Sequence, residues 1–216
     1  MSPKFAKAVD PVFLYMMELM DRIERDGSGI DPNQERIRIK KRIDHAENIL
    51  GQTPDWELAK YALVGWIDQL LISAPWSGAN WWQNNDMEFE YFHSGKAFEH
   101  FFVAAKDAQA LSSKDALEVY YICVVLGFRG LYGHPNSLQY TQHYGLPNDL
   151  DSWAKQTAAA LQLGQGRSPV LERPEPGEGA PPLSGYNKLI NMSLFAVIMA
   201  AVCFGYIMMF GMQRAS

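Results

Sequence analysis

Cysteine is scarce in this sequence: Cys123 and Cys203 are the only two among 216 residues. They give no disulfide framework, and both lie in apolar runs, so the fold rests on its core and suits a reducing compartment. A basic excess is missing as well. The whole chain carries −5, and because Lys188 and Arg214 supply +2, residues 1–187 carry −7. An acidic body argues against nucleic acid as a partner and against lying flat on anionic lipid. There is no apolar–polar alternation longer than a few residues and no internal repeat, which removes β architectures and solenoids and leaves an all-α body. The patterns of catalysis are absent too: no CxxC, no HExxH, no G-x-S-x-G elbow and no Walker loop. The five histidines, His45, His93, His100, His134 and His143, include no i, i+4 pair. Gly127, Gly130 and Gly133 imitate a glycine-rich loop but follow a helical pattern rather than a strand. His93 with Asp86, Glu88 and Glu90 supplies ligand-type atoms, yet a surface or capping histidine is the simpler reading. The expectation is no enzyme, no cofactor and no metal.

What the sequence does have is a long apolar run near its end. Residues 189–213 hold no charged side chain in 25 positions, between Lys188 and Arg214. The inner 21, residues 192–212, reach about 31 Å as a helix, the thickness of a hydrocarbon core. A buried soluble helix would show a polar stripe, and none is present. Residues 188–213 therefore read as a transmembrane anchor, with 214–216 as a short periplasmic end. No leader pattern is legible in residues 1–8, so the body is expected to stay in the cytoplasm. Arg167, Arg173 and Lys188 before the span, against Arg214 after it, agree weakly. Ala196 with Ala200, and Ala201 with Gly205, form small-xxx-small pairs, which predict that the anchor dimerises or packs on a partner's membrane helix. Ahead of the anchor, ten of the 24 residues in 164–187 are Gly or Pro, the composition of a solvated linker.

The body, residues 1–163, is punctuated by helix starts. Asp10-Pro11, Asp31-Pro32 and Thr53-Pro54 each place a capping side chain before a proline at the first helical position. The first helix is expected to end near Gly27 and the second at Gly51. The second carries Arg36, Arg38, Lys40, Lys41 and Arg42, read as a solvated face in preference to a basic partner surface. The third carries Ala59, Ala62, Leu63, Trp66, Ile67, Leu70 and Leu71, a wide stripe expected at the centre of the bundle. Asp68 interrupts that stripe: it is either a paired carboxylate facing a cleft or an exposed residue between buried neighbours. Pro75 ends the helix, and an aromatic loop follows with Trp76, Trp81 and Trp82, rimmed by Asp86, Glu88 and Glu90. Phe98, Phe101 and Phe102 are expected to point inward from a short helix. Ser112 and Asp115 read as a capping box for the next. Two shorter helices are expected near 138–144 and 150–163.

Several of these segments resemble one family. They are Tyr61-Ala62-Leu63-Val64-Gly65-Trp66-Ile67-Asp68, Ala74-Pro75-Trp76, Phe92-His93, Phe98-Glu99-His100-Phe101-Phe102, and the run from Leu117 through Leu126-Gly127-Phe128-Arg129-Gly130. In order and spacing they resemble the DotU/TssL family, an inner-membrane component of type VI secretion with relatives in type IVB systems. The resemblance covers residues 10–165, and the apolar run completes it. It implies an all-α cytoplasmic helical bundle, two small three-helix bundles of seven to eight helices in total, plus one C-terminal transmembrane helix. It also implies a non-enzymatic scaffold that joins an IcmF-type (TssM) membrane protein and, indirectly, a secretion lipoprotein, and that recruits the cytoplasmic baseplate. The sequence departs from the family pattern in places. An acidic pair is Asp68-Gln69 here, a double glycine is Ala97-Phe98, and an arginine expected near Leu131 is missing. Some members continue into a peptidoglycan-binding domain; the expectation here is that another protein holds the cell wall.

Two functions fit these features. The first is the secretion scaffold, with Asp68, Trp76, Trp81, Asp86 and Glu88 forming one edge of a cleft that docks a basic partner. The second is a tail-anchored adaptor or regulator whose bundle binds a partner helix in a groove. The run ending Leu-Gly-Phe-Arg-Gly favours the first.

Overall fold

The computed structural model describes residues 1–164, which fall within one compact unit, Met1–Pro169. The expected linker, the anchor and its packing residues Ala196, Ala200, Ala201 and Gly205 lie outside the described residues. Within them the chain is helical, with no strand. Nine α-helices are described: α1 Pro3–Asp26, α2 Pro32–Leu50, α3 Pro54–Ser73, α4 Ala79–Gln83, α5 Met87–Phe92, α6 Ala97–Ala110, α7 Asp115–Val125, α8 Ser137–Tyr144 and α9 Leu150–Gly164. Seven of them have eight residues or more; α4 and α5 are single short turns inside the aromatic segment.

The Pro-marked starts of α2 and α3 are built as the sequence suggests. Asp31 accepts from Asn33 N at 2.9 Å and Thr53 from Trp56 N at 3.3 Å. The end of α2 at Gly51 requires a positive φ of 71°, which glycine adopts without strain. The first helix is different. It starts at Pro3 behind Ser2, whose hydroxyl accepts from Phe5 N, and it runs straight through Pro11. The Asp10-Pro11 start is therefore corrected: Phe5, Ala8 and Val9 are as buried as Val12 and Phe13 beyond the proline. Burying one continuous apolar face outweighs the single backbone bond that Pro11 removes. The capping box at α7 is corrected as well. Asp115 turns outward to accept from the backbone N and hydroxyl of Ser2, at 2.6 and 2.5 Å, and ties α1 to α7.

α3 is the central helix. It packs against α6 and α7 on one side and against α4 and α5 on another. α1 and α2 pair beside it to give one three-helix group, and α6, α7 and α9 give the second. Crossing is tight where α3 meets α6: a Cβ added to Gly65 would lie 3.1 Å from the Ala97 Cβ. The second group is an aromatic core. Phe101 stacks on Phe128 with centroids 3.8 Å apart and meets Tyr120 edge-on, while Phe102 meets Tyr132 and Trp153. Phe98 departs from the expected pattern. It is 38 % exposed and packs on His134 and Tyr140, because the inward face of α6 is already filled by Phe101 and Phe102. The stretch Asp115–Gly133 is apolar enough by composition to cross a membrane. Here it breaks after Val125, and Leu117, Tyr120, Cys123, Val124 and Phe128 are core residues.

One buried charge locks α1 to α2. Glu35, 2 % exposed, accepts from Tyr15 Oη, from Arg22 at 3.0 and 3.2 Å, and from Arg38 at 2.7 Å. The Arg42 guanidinium lies 3.7 Å over the Tyr15 ring. Burial alone would raise the Glu35 carboxyl, but the hydrogen bonds from Arg22 and Tyr15 and the charges of both arginines hold it below its ordinary value. Glu35→Gln is expected to cost about 1–3 kcal/mol in urea unfolding at pH 7, because both arginines lose their carboxylate. A depressed carboxyl stabilises above its unfolded pKa and loses that contribution as pH falls below 4.5 through the folded value. Wild-type and variant stabilities should therefore converge in acid; a gap undiminished at about pH 3 would remove Glu35 from this role.

Candidate functional site: an acidic cleft beside the central helix

The aromatic segment between α3 and α6 is held from beneath. Trp76, expected at a contact surface, is 8 % exposed and donates from Nε1 to Leu71 O at 2.7 Å. Its indole lies where a Cβ at Gly78 would meet it at 2.5 Å, and its own Cβ would meet one at Gly27 at 2.8 Å. Those two glycines let the ring fold into the core, so Trp76 is a packing residue. From the other side, α2 fastens the segment. Arg36 donates to the carbonyls of Asn85 and Asp86 and pairs with Glu90 at 2.7 Å, and Lys40 also pairs with Glu90. The basic face of α2 is thus partly consumed inside the molecule rather than left to water.

Asp68 is the buried member of the pair of readings given to it: it is 6 % exposed. Its carboxylate accepts from Trp82 Nε1 at 2.8 Å, from Met87 N at 2.9 and 3.0 Å, and from Glu88 N at 2.8 Å. α3 therefore caps the first turn of α5 across space, while Asp86 caps the same helix locally by accepting from Phe89 N at 2.7 Å. Burial pushes the Asp68 carboxyl up, the Met87, Trp82 and Glu88 donors pull it down, and the balance lies at about 6. Glu88, expected on an exposed rim, is 7 % exposed; it accepts from Lys96 N at 2.9 Å and from Tyr61 Oη at 3.4 Å.

Asp68, Asp86 and Glu88 line one cavity of about 260 Å³ with Gln69, Gln83 and Phe98, closed at its base by Gly65 and Phe128. Among the described residues three acidic ones line it and no basic one does. Trp76 and Trp81 are not among its walls. Trp81 is half-buried and packs edge-on to Trp82 at 6.1 Å. The residues that sequence reasoning missed are Trp82 and Gln69. Gln69 Oε1 accepts from Gly130 N at 2.8 Å and Arg129 N at 3.3 Å, so it secures the turn that delivers Phe128. That turn holds Gly130 at φ 45°, where a Cβ would strike the Phe128 ring at 2.8 Å. With the Gly130 amide taken, the glycines at 127, 130 and 133 do not form a phosphate cradle. His93 closes α5 in the left-handed conformation at φ 50°, as a capping residue. Among the described residues no group of three His, Cys, Asp or Glu comes together to hold a metal.

Residues 4–213 match the family described as type VI secretion system protein DotU. The chain belongs to the DotU family. Within the solved structures, this DotU-family chain is similar to the cytoplasmic domain of TssL from Acinetobacter baumannii. The TM-score is 0.58 at 18% identity, over 76% of this chain and 99% of that one. At that identity the likeness establishes the shared helical fold. Among curated proteins none matches the sequence closely enough to count as a relative.

The Asp68 carboxyl gives this DotU-family body a testable pH signature. A folded value near 6 against 3.8 means the native state holds the proton more tightly, so Asp68 makes stability fall as pH rises through that window. The fall is about 3 kcal/mol at 1.36 kcal/mol per pKa unit. Asp68→Asn removes it, so the variant should gain on wild type by up to that amount between about pH 4 and 7 in urea titrations. Parallel curves would show that Asp68 does not titrate in this way.

Proposed function

We propose that this DotU-family chain is a non-enzymatic structural component of the type VI secretion membrane complex. In this reading the helical body, residues 1–163, stands in the cytoplasm, residues 164–187 are a linker, and 188–213 cross the inner membrane once with the C-terminus periplasmic. The body links an IcmF-type (TssM) membrane protein, and through it the secretion lipoprotein, to the cytoplasmic baseplate. The observation that carries the reading is the family match over 4–213, which takes in body, linker and apolar run together. The acidic cleft supports the baseplate half of it. Carboxylates around a cavity with an aromatic wall, with no basic residue among its described liners, suit an inserted Lys or Arg side chain from a partner.

The cleft residues differ in what they tolerate. Asp68 and Glu88 hold backbone N–H groups, so reversing their charge breaks the fold and tests nothing about docking. Asp86→Asn keeps an oxygen to cap α5 while removing a charge. It is expected to change stability by no more than about 0.5 kcal/mol and to weaken baseplate pull-down, most clearly at low salt. Undiminished capture by a normally folded Asp86→Asn, Gln83→Lys protein would take the cleft out of recruitment. Topology is tested separately: a reporter fused after Ser216 should be active only in the periplasm, and cytoplasmic activity would reverse the orientation.

A further inference from the structure

A second concavity, unrelated to the acidic cleft, lies on the other flank of α3. It measures about 640 Å³ and runs along α1 from Met16 to Glu24, with Trp66 and Leu70 of α3 and the Leu126 turn opposite. The nine residues of helix from Met16 to Glu24 give it a length of about 12 Å, some two helical turns. Its walls are apolar, and three of them are methionines on one stripe: Met16, Met17 and Met20. Met17 is 53 % exposed, although it sits one helical turn from the buried Phe13. Unbranched thioether side chains repack around different shapes, and an exposed apolar strip of this kind on a folded body marks a contact surface. Among the described residues the charged liners are Asp21 and Glu24, both at one end. Asp21 pairs with Arg25 at 2.9 Å, whereas Glu24 has no ion pair among the described residues.

We propose that this groove binds an amphipathic helix of another protein, one that lays an apolar face along the methionines and carries a Lys or Arg at the end meeting Glu24. The shape favours a helix over a small molecule, because the described walls carry no convergent polar groups that would orient a small ligand. Charge selects the occupant. A second copy docked through the same face brings no basic side chain among the described lining residues to meet Glu24. The chain's own 189–213 run is flanked by Lys188 and Arg214, but the function proposed above commits that run to the membrane, and on that reading the occupant is another protein. A basic-ended helix satisfies both the apolar walls and the acidic end.

The test is photo-crosslinking of the full-length chain in its own cells, with a benzophenone amino acid at Met17 and mass spectrometry of the adduct site. The expected adduct maps to another protein, in a segment with apolar residues at three- and four-residue spacing and Lys or Arg at one end. Glu24→Lys should lower its yield about tenfold, the effect of losing 1.4 kcal/mol of binding, and Glu24→Gln should give an intermediate loss. Glu24 is exposed, so neither variant disturbs the core. Adducts to lipid, to a second copy or to the chain itself overturn the proposal. So do a partner segment without a basic end, a yield indifferent to Glu24→Lys, and no adduct at all. Asp86→Asn in parallel separates the two surfaces: it should leave the Met17 adduct unchanged whether or not the cleft recruits the baseplate.

Discussion

A single carboxylate buried in α3 determines how the aromatic segment sits. Asp68 collects the Trp82 indole N–H and the first two amides of α5, so a segment of two very short helices becomes a fixed wall of the bundle. Helices of five and six residues do not persist alone, since their nucleation exceeds what so few backbone bonds return. Asp68 supplies the missing stabilisation from outside the segment, and Arg36 and Lys40 of α2 supply the rest through Glu90 and two carbonyls. The cleft exists because this wall is held at a distance from Phe98 and Phe128. Its acidity follows from the same arrangement: the first turn of α5 attracts carboxylates, and three of them gather there.

Three positions at which the resemblance led to a different expectation have visible structural roles. Gln69, beside Asp68, uses its oxygen to accept from the Arg129 and Gly130 amides and its nitrogen to face Gly127 O at 3.5 Å. An amide serves a turn that presents both donors and an acceptor, which a carboxylate cannot. Ala97 stands where α6 approaches α3, and Gly65 on the opposing helix supplies the clearance. Leu131, near which an arginine is missing, is fully buried, so the aromatic core closes with an apolar residue there.

Local signals in the sequence carried the helices, and long-range ones carried the errors. Asp31-Pro32, Thr53-Pro54 and Gly51 are legible because each cap is chemistry between near neighbours. Pro11 misled because the course of the helix there depends on Phe5 and Ala8 finding a partner surface, which no local rule contains. Asp115 misled because its partner, Ser2, is 113 residues away. At the site, the carboxylates at 68, 86 and 88 were identifiable from composition, but which were free to meet a partner was not. Burial of Glu88 depends on the Lys96 amide and Tyr61, and burial of Trp76 on Gly27 and Gly78, none of which periodicity connects. Trp82 escaped notice for a similar reason: of two adjacent tryptophans, only the fold decides which turns inward.

α3 carries both concavities. Gly65, Asp68, Gln69 and Ile72 face the acidic cleft, while Trp66 and Leu70 face the methionine groove, roughly a third of a turn around the same helix. The Leu126–Gly130 turn touches both as well: Leu126 lines the groove, and Phe128 closes the cleft while Gln69 grips the amides at 129 and 130. Close-packed elements shift as bodies rather than deform smoothly. Occupancy of the groove that moved Leu126 would therefore reach Phe128 through the single residue between them. Under the proposed function such an arrangement is useful to a body that holds partners on two sides, since one rigid helix and one turn fix the spacing between them.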